Sequence, residues 1–390
     1  MSVDEPPLRG VRVLDLTRLL PGPVCTQHLA DLGADVVKVE DTGAGDYAPP
    51  ALRALVNRNK RGLQLDLKQP DGAQAFLLLA RDADVIVEGF RPGAMARLGL
   101  GYAEVAAVNA RIVYCSLTGY GQDGPYRDRP GHDINYCGHA GVADQLGADA
   151  DRLALSNVPI ADLMGGALTA AMGILAALFD AARTGRGRHV DIAMADGALA
   201  HAVMPLATLA AHGRTRRAGT DTLTGGLACY AVYRTADDRF LAVGALERKF
   251  WEALCDVIER ADLKRLHRTG DAAVEARVRD ELAAIFGARP LAHWEARFAR
   301  ADCCVSPVHT LEEALADPHF RSRGMVLESV HPTVGPITQV ASPVKMSRHG
   351  FALHRHAPRP GEHTVELLRE AGCCEEAIAA WIEKGAVRAS

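Results

Sequence analysis

The sequence predicts a large, doubly wound, Rossmann-like α/β domain followed by a smaller α+β domain. Short aliphatic runs alternate with helical patterns up to about residue 195, and glycine or proline marks most of the turns between them. A hairpin pattern and three helices follow from about residue 220, and 48% of the 390 residues are hydrophobic, enough for two cores. The predicted parts are a large domain over 1–197 completed by 325–390, a linker over 198–219 and a small domain over 220–324.

The first elements form a βαβ unit. Residues 11–17 are typical of a buried strand, 21–33 have a Pro-Gly opening and a helical apolar pattern, and 35–40 are a second strand. Strand, helix and strand within about 30 residues indicate parallel pairing. The turn after the first strand reads LPGPV rather than G-x-G-x-x-G, so no dinucleotide cofactor is predicted.

The same alternation continues along the chain. In the large domain it predicts a helix at 72–83, strands at 84–90 and 110–121, a long helix at 161–187 and a strand at 188–194. In the small domain it predicts a hairpin at 228–246 and helices at 249–260, 272–286 and 291–301. Residues 336–347 are strand-like and return to the large domain.

Charge and apolar runs limit the class of protein. Lys and Arg total 44 against 48 acidic residues, a net charge of −4, which lacks the basic excess typical of nucleic-acid binders. The longest apolar run, 167–179, is too short to span a bilayer, and the N-terminus has no basic and apolar leader. The adjacent cysteine pairs at 303–304 and 373–374 lack zinc-site spacing. We expect a cytoplasmic protein that uses no metal and contacts neither nucleic acid nor membrane.

Basic residues near strand ends suggest an anionic ligand. Arg91 lies just past a predicted strand, at the edge where open α/β sheets bind ligands. Lys38 ends another strand, and Arg61 lies in a short basic segment, 57–62, interpreted as a loop. A guanidinium there could clamp phosphate, although for any one of these residues an ordinary solvated charge is the simpler explanation.

Three ionisable residues stand at the edges of apolar segments. His132 follows a Pro-Gly turn in RPGHDINY, and Asp162 opens a long apolar helix in PIADLMGG. Glu247 lies between a strand and a helix. Each has a structural alternative: a loop histidine is usually polar surface, Asp is a favoured helix N-cap, and a carboxylate near a helix N-terminus needs no function.

The ordered motifs resemble the family III CoA-transferase superfamily, also called the CaiB/BaiF group. The resemblance is carried by LADLGADVVKVE, NRNKRGLQLDL, DVIVEGFRPGAMARLGLGY, LTGYGQDGPYRDRPGHDINY and ADLMGGALTAAMGILAALFDAARTGRGRHVDIAM. It continues through YRTADDRFLAVGALERKFW to GEHTVELLREAG and so covers essentially the whole chain. Among the members, the chain most resembles the α-methylacyl-CoA racemases.

The resemblance implies an acyl-CoA enzyme whose two chains interlock as a homodimer. Transferases of the group use the aspartate matched by Asp162 as a nucleophile, whereas racemases pair it with the histidine matched by His132 for proton transfer. Glu247 matches a carboxylate that orients the histidine. No cofactor is implied beyond the CoA of the substrate.

The resemblance also implies how CoA and the reacting thioester are held. CoA phosphates suit Lys38, Arg61 and Arg91, while Asp133 and Tyr136 match residues that line the CoA chain. The helix that begins at Asp162 is expected to offer backbone N–H donors to an enolate oxygen.

Two departures keep the transferase alternative open. The segment GGLACY stands where racemases usually have GGAPFY, and Arg248-Lys249 stands where they usually have Pro-Gln. Both positions lie in the predicted small domain. They leave the activity within the family undecided between racemase and CoA transferase.

Overall fold

The computed structural model describes residues 5–43, 47–147 and 151–390. The sequence-based interpretation of the N-terminus therefore rests partly on residues 1–4, outside the described range. Part of the segment 137–154, which the sequence did not place, likewise falls outside it at 148–150.

The strands are short and mostly aliphatic. In chain order they are β1 Arg12–Asp15, β2 Asp35–Glu40, β3 Lys60–Leu65, β4 Val85–Glu88, β5 Val113–Thr118, β6 Arg188–Ala193, β7 Tyr230–Arg234, β8 Phe240–Gly244, β9 Val305–Pro307, β10 Val326–His331, β11 Gly335–Val340 and β12 Val387–Arg388.

The helices alternate with these strands. In chain order they are α1 Pro21–Asp31, α2 Pro50–Val56, α3 Pro70–Arg81, α4 Ala94–Arg97, α5 Tyr102–Val108, α6 Asp133–His139, α7 Thr169–Thr184, α8 Met194–Ala200, α9 Val203–His212, α10 Arg248–Val257, α11 Ala272–Gly287, α12 Leu291–Phe298, α13 Leu311–Ala316, α14 Pro318–Ser322, α15 Thr364–Glu370 and α16 Glu375–Glu383. A π-helix, Ala161–Leu168, runs directly into α7, and 3₁₀ turns occupy Ala143–Gln145 and Ala261–Leu266.

The first compact unit comprises the chain up to Ala140, Val158–His201 and Arg321–Ser390. Its seven-stranded sheet has the order β12-β3-β2-β1-β4-β5-β6, and only β12 runs antiparallel to its neighbour. From β1 the chain winds outward through β2 and β3, then crosses back to β4 on the other side. The point where strand order reverses therefore lies between β1 and β4, as a doubly wound sheet requires.

A buried aliphatic core and a buried ion pair stabilise this unit. Side chains of β1–β5 pack with α3, α5 and the C-terminal helices α15 and α16, so the C-terminal segment forms part of this core. Beneath the end of β1, the ammonium of Lys60 lies 3.0 Å from the carboxylate of Asp15, and both side chains are fully buried. The Thr26 hydroxyl also donates to Asp15 at 2.6 Å, which keeps the buried carboxylate hydrogen-bonded.

The second compact unit comprises Gly141–Asn157 and Ala202–Phe320. Its antiparallel sheet β7-β8-β9 packs against α10, α11 and α12 around a core that includes Trp251, Phe286 and Trp294. The segment interpreted as a linker, 198–219, is largely helical, since α8 ends in it and α9 occupies most of the rest. Residues from Ala202 onward cluster with this unit.

The segment 57–62, interpreted as a basic loop, is a turn only at 57–59, after the end of α2, and residues 60–62 are the first three of strand β3. β3 is paired on both sides, by β2 and β12, so its lysine and arginine are part of the sheet. Among the described residues, one continuous helix, Ala161–Thr184, could cross a membrane by length and composition alone, and 39% of its most apolar window is buried.

Candidate active site

A cavity of about 590 Å³ opens at the carboxyl edge of the large sheet. The segments that follow β1, β4 and β5 form its floor, at residues 16–19, 89–92 and 117–120. Gly22 of α1 closes one side and approaches Thr17 so tightly that a Cβ there would lie 2.2 Å from the Thr17 side chain. The cavity thus occupies the topological switch point, where parallel α/β sheets bind their ligands.

His132 lines this cavity at the start of α6. Its backbone is extended, and its N–H donates to the side-chain oxygen of Asn135 at 3.0 Å while its carbonyl accepts from the Asn135 N–H at 2.8 Å. These bonds fix the backbone of an exposed residue. The imidazole is therefore carried on a defined helix start rather than on an unstructured loop.

Asp162 lines the same cavity from the π-helix. It lies inside that helix and does not cap it, because the N-cap position is Ile160; the alternative interpretation of Asp162 as an N-cap is therefore wrong. The π-helix packs directly on α8, where a Cβ on Gly197 would lie 2.2 Å from the carbonyl oxygen of Gly165. π-Helical turns are rare and occur often at functional sites.

The expectation that this helix offers free N–H donors is also wrong for its first residues. The N–H of Asp162 donates to the carboxylate of Asp133 at 2.9 Å, and that of Leu163 donates to the Pro159 carbonyl at 3.1 Å. These donors serve the packing of the helix start.

The environment raises the pKa of Asp162 to about 6. Burial is the larger cause, the carboxylate of Asp133 adds to it, and His132 opposes both. A carboxyl group with such a pKa exists in both protonation states near neutral pH, which is the condition for accepting or donating a proton. Two titratable groups of different chemistry therefore share one cavity.

Cationic side chains line the rest of the cavity: Arg18, Arg91, Arg127 and Arg129. The guanidinium of Arg18 lies over the rings of Tyr47 and Phe90 at 5.2 and 5.3 Å. Arg91 donates to the Asp128 carbonyl at 3.0 Å, and Arg129 lies 4.1 Å from the ring centre of Tyr126. The sequence analysis found Arg91 but missed the other three. Arg18 follows β1 just as Arg91 follows β4, so the same rule could have found it.

Tyr136 forms part of the cavity wall. Its hydroxyl donates to the Gly131 carbonyl at 2.5 Å, and its ring lies edge-on to Tyr120 at 5.2 Å. Burial, and secondly the carboxylate of Asp162, raise the pKa of Tyr136 to about 12. This tyrosine is thus a neutral hydroxyl at any ordinary pH.

Lys38 and Arg61 do not line the cavity, which corrects their interpretation as an exposed phosphate-binding pair. The side chain of Lys38 is fully buried and donates to the Thr17 carbonyl. Arg61 points to another part of the unit, where its guanidinium bonds to Asp35, Glu366 and Glu370. Asp133 also lies outside the lining and accepts the Asp162 N–H instead.

Glu247 belongs to the second unit. It is an exposed residue at the N-cap of α10, and its carbonyl accepts from the N–H groups of Phe250 and Trp251 at 3.1 Å. Its orienting role toward His132 stays a prediction. Among the described residues, no group of three or more His, Cys, Asp or Glu side chains is arranged to hold a metal ion.

Sequence comparison decides the family. A sequence model of CoA-transferase family III matches residues 8–364 of the chain. The chain belongs to CoA-transferase family III. The resemblance inferred from the ordered motifs is thereby confirmed.

Relatives within family III include both activities. The human α-methylacyl-CoA racemase is 36% identical over 375 residues, covering 95% of each chain. The mouse succinyl-CoA:glutarate CoA-transferase is 33% identical over 383 residues, covering 93% of this chain and 86% of its own. Family III thus includes racemases and CoA transferases of similar identity to this chain.

The fold agrees with a solved family structure. The crystal structure of a CaiB/BaiF family protein from Brucella suis superposes with a TM-score of 0.81 at 28% identity, covering 94% of this chain and all of its own. The predicted α/β fold class is confirmed.

Proposed function

We propose that this family III enzyme is a 2-methylacyl-CoA racemase that inverts the α-carbon of its thioester substrate by 1,1-proton transfer. The observation that carries the proposal is that His132 and Asp162 line one cavity from two separate helix starts. A transferase needs only the aspartate. A racemase needs two proton-transfer groups, and this cavity has two.

The chemistry balances without an added reactant. A thioester acidifies its α-hydrogen, so one group of the pair removes that proton and leaves an enolate. The other group then donates a proton to the opposite face of the same carbon, which inverts it. Such positioned proton transfer contributes about 10²–10⁴-fold to a rate when the pKa of each group is close to the working pH.

The arginines of the cavity suit the phosphates of CoA. Guanidinium groups match phosphate geometry with paired hydrogen bonds, and Arg18, Arg91, Arg127 and Arg129 are all within the lining. We propose that these residues replace Lys38 and Arg61 as the CoA-binding cations. The CoA of the substrate is the only cofactor that the proposal requires.

An exposed apolar surface supports a homodimer. On the π-helix and α7, the side chains of Leu168, Met172, Leu175 and Phe179 recur at helical spacing and are 36–66% exposed. Contiguous exposed apolar patches of this kind mark surfaces at which a protein binds a partner. We propose that a second copy of the chain covers it, as the interlocked dimer of the family implies, in a cytoplasmic enzyme that contacts neither nucleic acid nor membrane.

A CoA transferase is the second candidate. The mouse transferase named above is nearly as similar to this chain as the human racemase. In that chemistry the Asp162 carboxylate attacks an acyl-CoA thioester and later carries CoA as an aspartyl thioester. His132 would then be dispensable for the covalent steps.

Incubation with a 2-methylacyl-CoA of single configuration in deuterated water separates the two. The racemase reaction incorporates one α-deuterium and loses stereochemical purity with no acceptor acid present, as mass and chiral analysis would show. Asp162→Asn and His132→Gln should each reduce exchange by about 10³-fold. Absence of exchange in the wild type, with CoA bound covalently to Asp162 and passed to an acceptor acid once one is supplied, would establish the transferase instead.

A further inference from the structure

We propose that Asp133 is a positioning residue that fixes Asp162 relative to His132. This inference rests on the proposed proton-transfer function and assigns Asp133 a task different from lining the CoA chain. It acts through Asp162, since its side chain does not line the cavity.

Each carboxylate oxygen of Asp133 has a partner at the junction of α6 with the π-helix. Oδ1 accepts the backbone N–H of Asp162 at 2.9 Å, and Oδ2 accepts the thiol of Cys137 at 3.7 Å. The Asp133 carboxylate thus joins the backbone of the π-helix, at the Asp162 N–H, to the Cys137 side chain of α6.

This arrangement connects the two proposed proton-transfer residues through one hydrogen bond. His132 and Asp133 are consecutive, and one hydrogen bond joins the Asp133 side chain to the backbone of Asp162. A displacement of α6 is therefore transmitted directly to the residue that it faces. Proton transfer is sensitive to such displacement, because an error of about 1 Å in a reacting group can reduce a rate about 10²-fold.

The same carboxylate sets part of the electrostatics of the site. After burial, Asp133 is the next cause of the raised pKa of Asp162, whereas His132 lowers it. Tyr136 and Cys137, which also face Asp162 from α6, have raised pKa values themselves and are neutral. Asp133 is thus the negative charge that disfavours ionisation of Asp162.

Two substitutions separate position from charge. Asp133→Asn keeps a side-chain oxygen for the Asp162 N–H and removes the charge, whereas Asp133→Ala removes both. We expect Asp133→Ala to lower kcat for α-deuteration about 10²-fold with KM unchanged. Asp133→Asn should retain kcat within about tenfold, and the acidic limb of its pH profile should move to lower pH.

Two controls match these variants. Asp82→Asn removes an equal charge from an exposed site at the C-cap of α3, and it should change neither kcat nor the pH profile. Cys137→Ala removes the partner of Oδ2 and leaves the bond to Asp162, so it should lower kcat less than Asp133→Ala does.

A titration of the Asp162 carboxyl by carbon-13 NMR gives a readout independent of turnover. Its midpoint should fall in Asp133→Asn and stay unchanged in Asp82→Asn. Absence of α-exchange in the wild-type protein would refute the proposed function. The titration would still test whether the charge of Asp133 raises the pKa of Asp162. An unchanged midpoint in Asp133→Asn would overturn that part, even if Asp133→Ala fails to fold.

The kinetic outcomes decide the positioning part. Equal kcat in Asp133→Asn and Asp133→Ala would show that the hydrogen bond positions nothing. A raised KM for acyl-CoA with kcat unchanged would make Asp133 a ligand of CoA and overturn the proposal, while leaving the racemase function intact.

Discussion

Two aspartates near the same edge of the large sheet have opposite electrostatic surroundings. Asp15 is fully buried below the end of β1. Burial raises the pKa of its carboxyl, but Lys60, Lys38 and the hydroxyls of Thr17 and Thr26 together hold it well below the ordinary value. Asp162 is less buried, yet burial and the carboxylate of Asp133 raise its pKa to about 6. The more deeply buried group is therefore the one that stays charged.

Neighbouring charged groups, rather than the depth of burial, decide whether these two carboxylates are ionised. Desolvation raises the pKa of both groups, and only Asp15 has ammonium groups close enough to reverse it. Groups whose pKa values are pushed apart in this way have different tasks. One carboxylate stabilises the fold, and the other is available for proton transfer.

Removing the ammonium of Lys60 should have the largest effect on the free energy of unfolding. Lys60→Met leaves the Asp15 carboxylate buried with fewer cationic partners. We expect the free energy of unfolding at pH 7 to fall by about 3 kcal/mol, the lower end for a broken buried pair, because Lys38 remains. Urea denaturation followed by circular dichroism measures the change.

The sign of the pH dependence follows from the lowered pKa of Asp15. Its contribution is present above the unfolded pKa of about 4 and is lost as pH falls toward the folded value. The deficit of Lys60→Met should therefore shrink in acid. Lys68→Met, at an exposed position, should change stability by no more than about 0.5 kcal/mol, and a similar deficit there would contradict the buried-pair interpretation.

The pH profile of α-exchange tests the raised pKa of Asp162. In the direction that uses Asp162 as the base, the carboxylate form is required, so kcat/KM should fall about tenfold per pH unit below the Asp162 pKa. That limb should lie near pH 6, because the environment raises the pKa of Asp162 to about 6. A limb near pH 4, the ordinary aspartate range, would show that the site does not perturb this residue.

Replacing Asp162 should have the smallest effect on the free energy of unfolding, and this effect should be stabilising. The pKa of Asp162 is raised in the folded state, so its contribution to stability is lost as pH rises through about 6. Asp162→Asn should therefore raise the free energy of unfolding at pH 8 by about 1 kcal/mol after allowance for solvent screening.

The pH dependence of this gain is its control. The gain should disappear near about pH 3, below both the folded and the unfolded pKa, where Asp162 is largely protonated in both states. Equal stability of wild type and Asp162→Asn at both pH values, in thermal unfolding, would contradict the raised pKa.

The sequence alone determined the alternation of strands and helices and the edge of the sheet at which the cavity opens. β2 has the predicted bounds, and strands β4, β5 and β6 fall within the predicted runs, because aliphatic periodicity and glycine turns are local signals. His132 and Asp162 were identified from motifs. Both line the cavity because each lies at a helix start in the connection from β5 to β6, at the carboxyl edge of the sheet.

Only the tertiary structure decided which charged residues face the cavity. Lys38 and Arg61 have basic side chains like Arg91, and no local pattern shows that the first is buried under Thr17 and the second is paired with carboxylates distant in sequence. The bond between Asp133 and Asp162 joins segments 29 residues apart. Local sequence sets backbone preference, but burial and charge pairing depend on distances that exist only after the chain has folded.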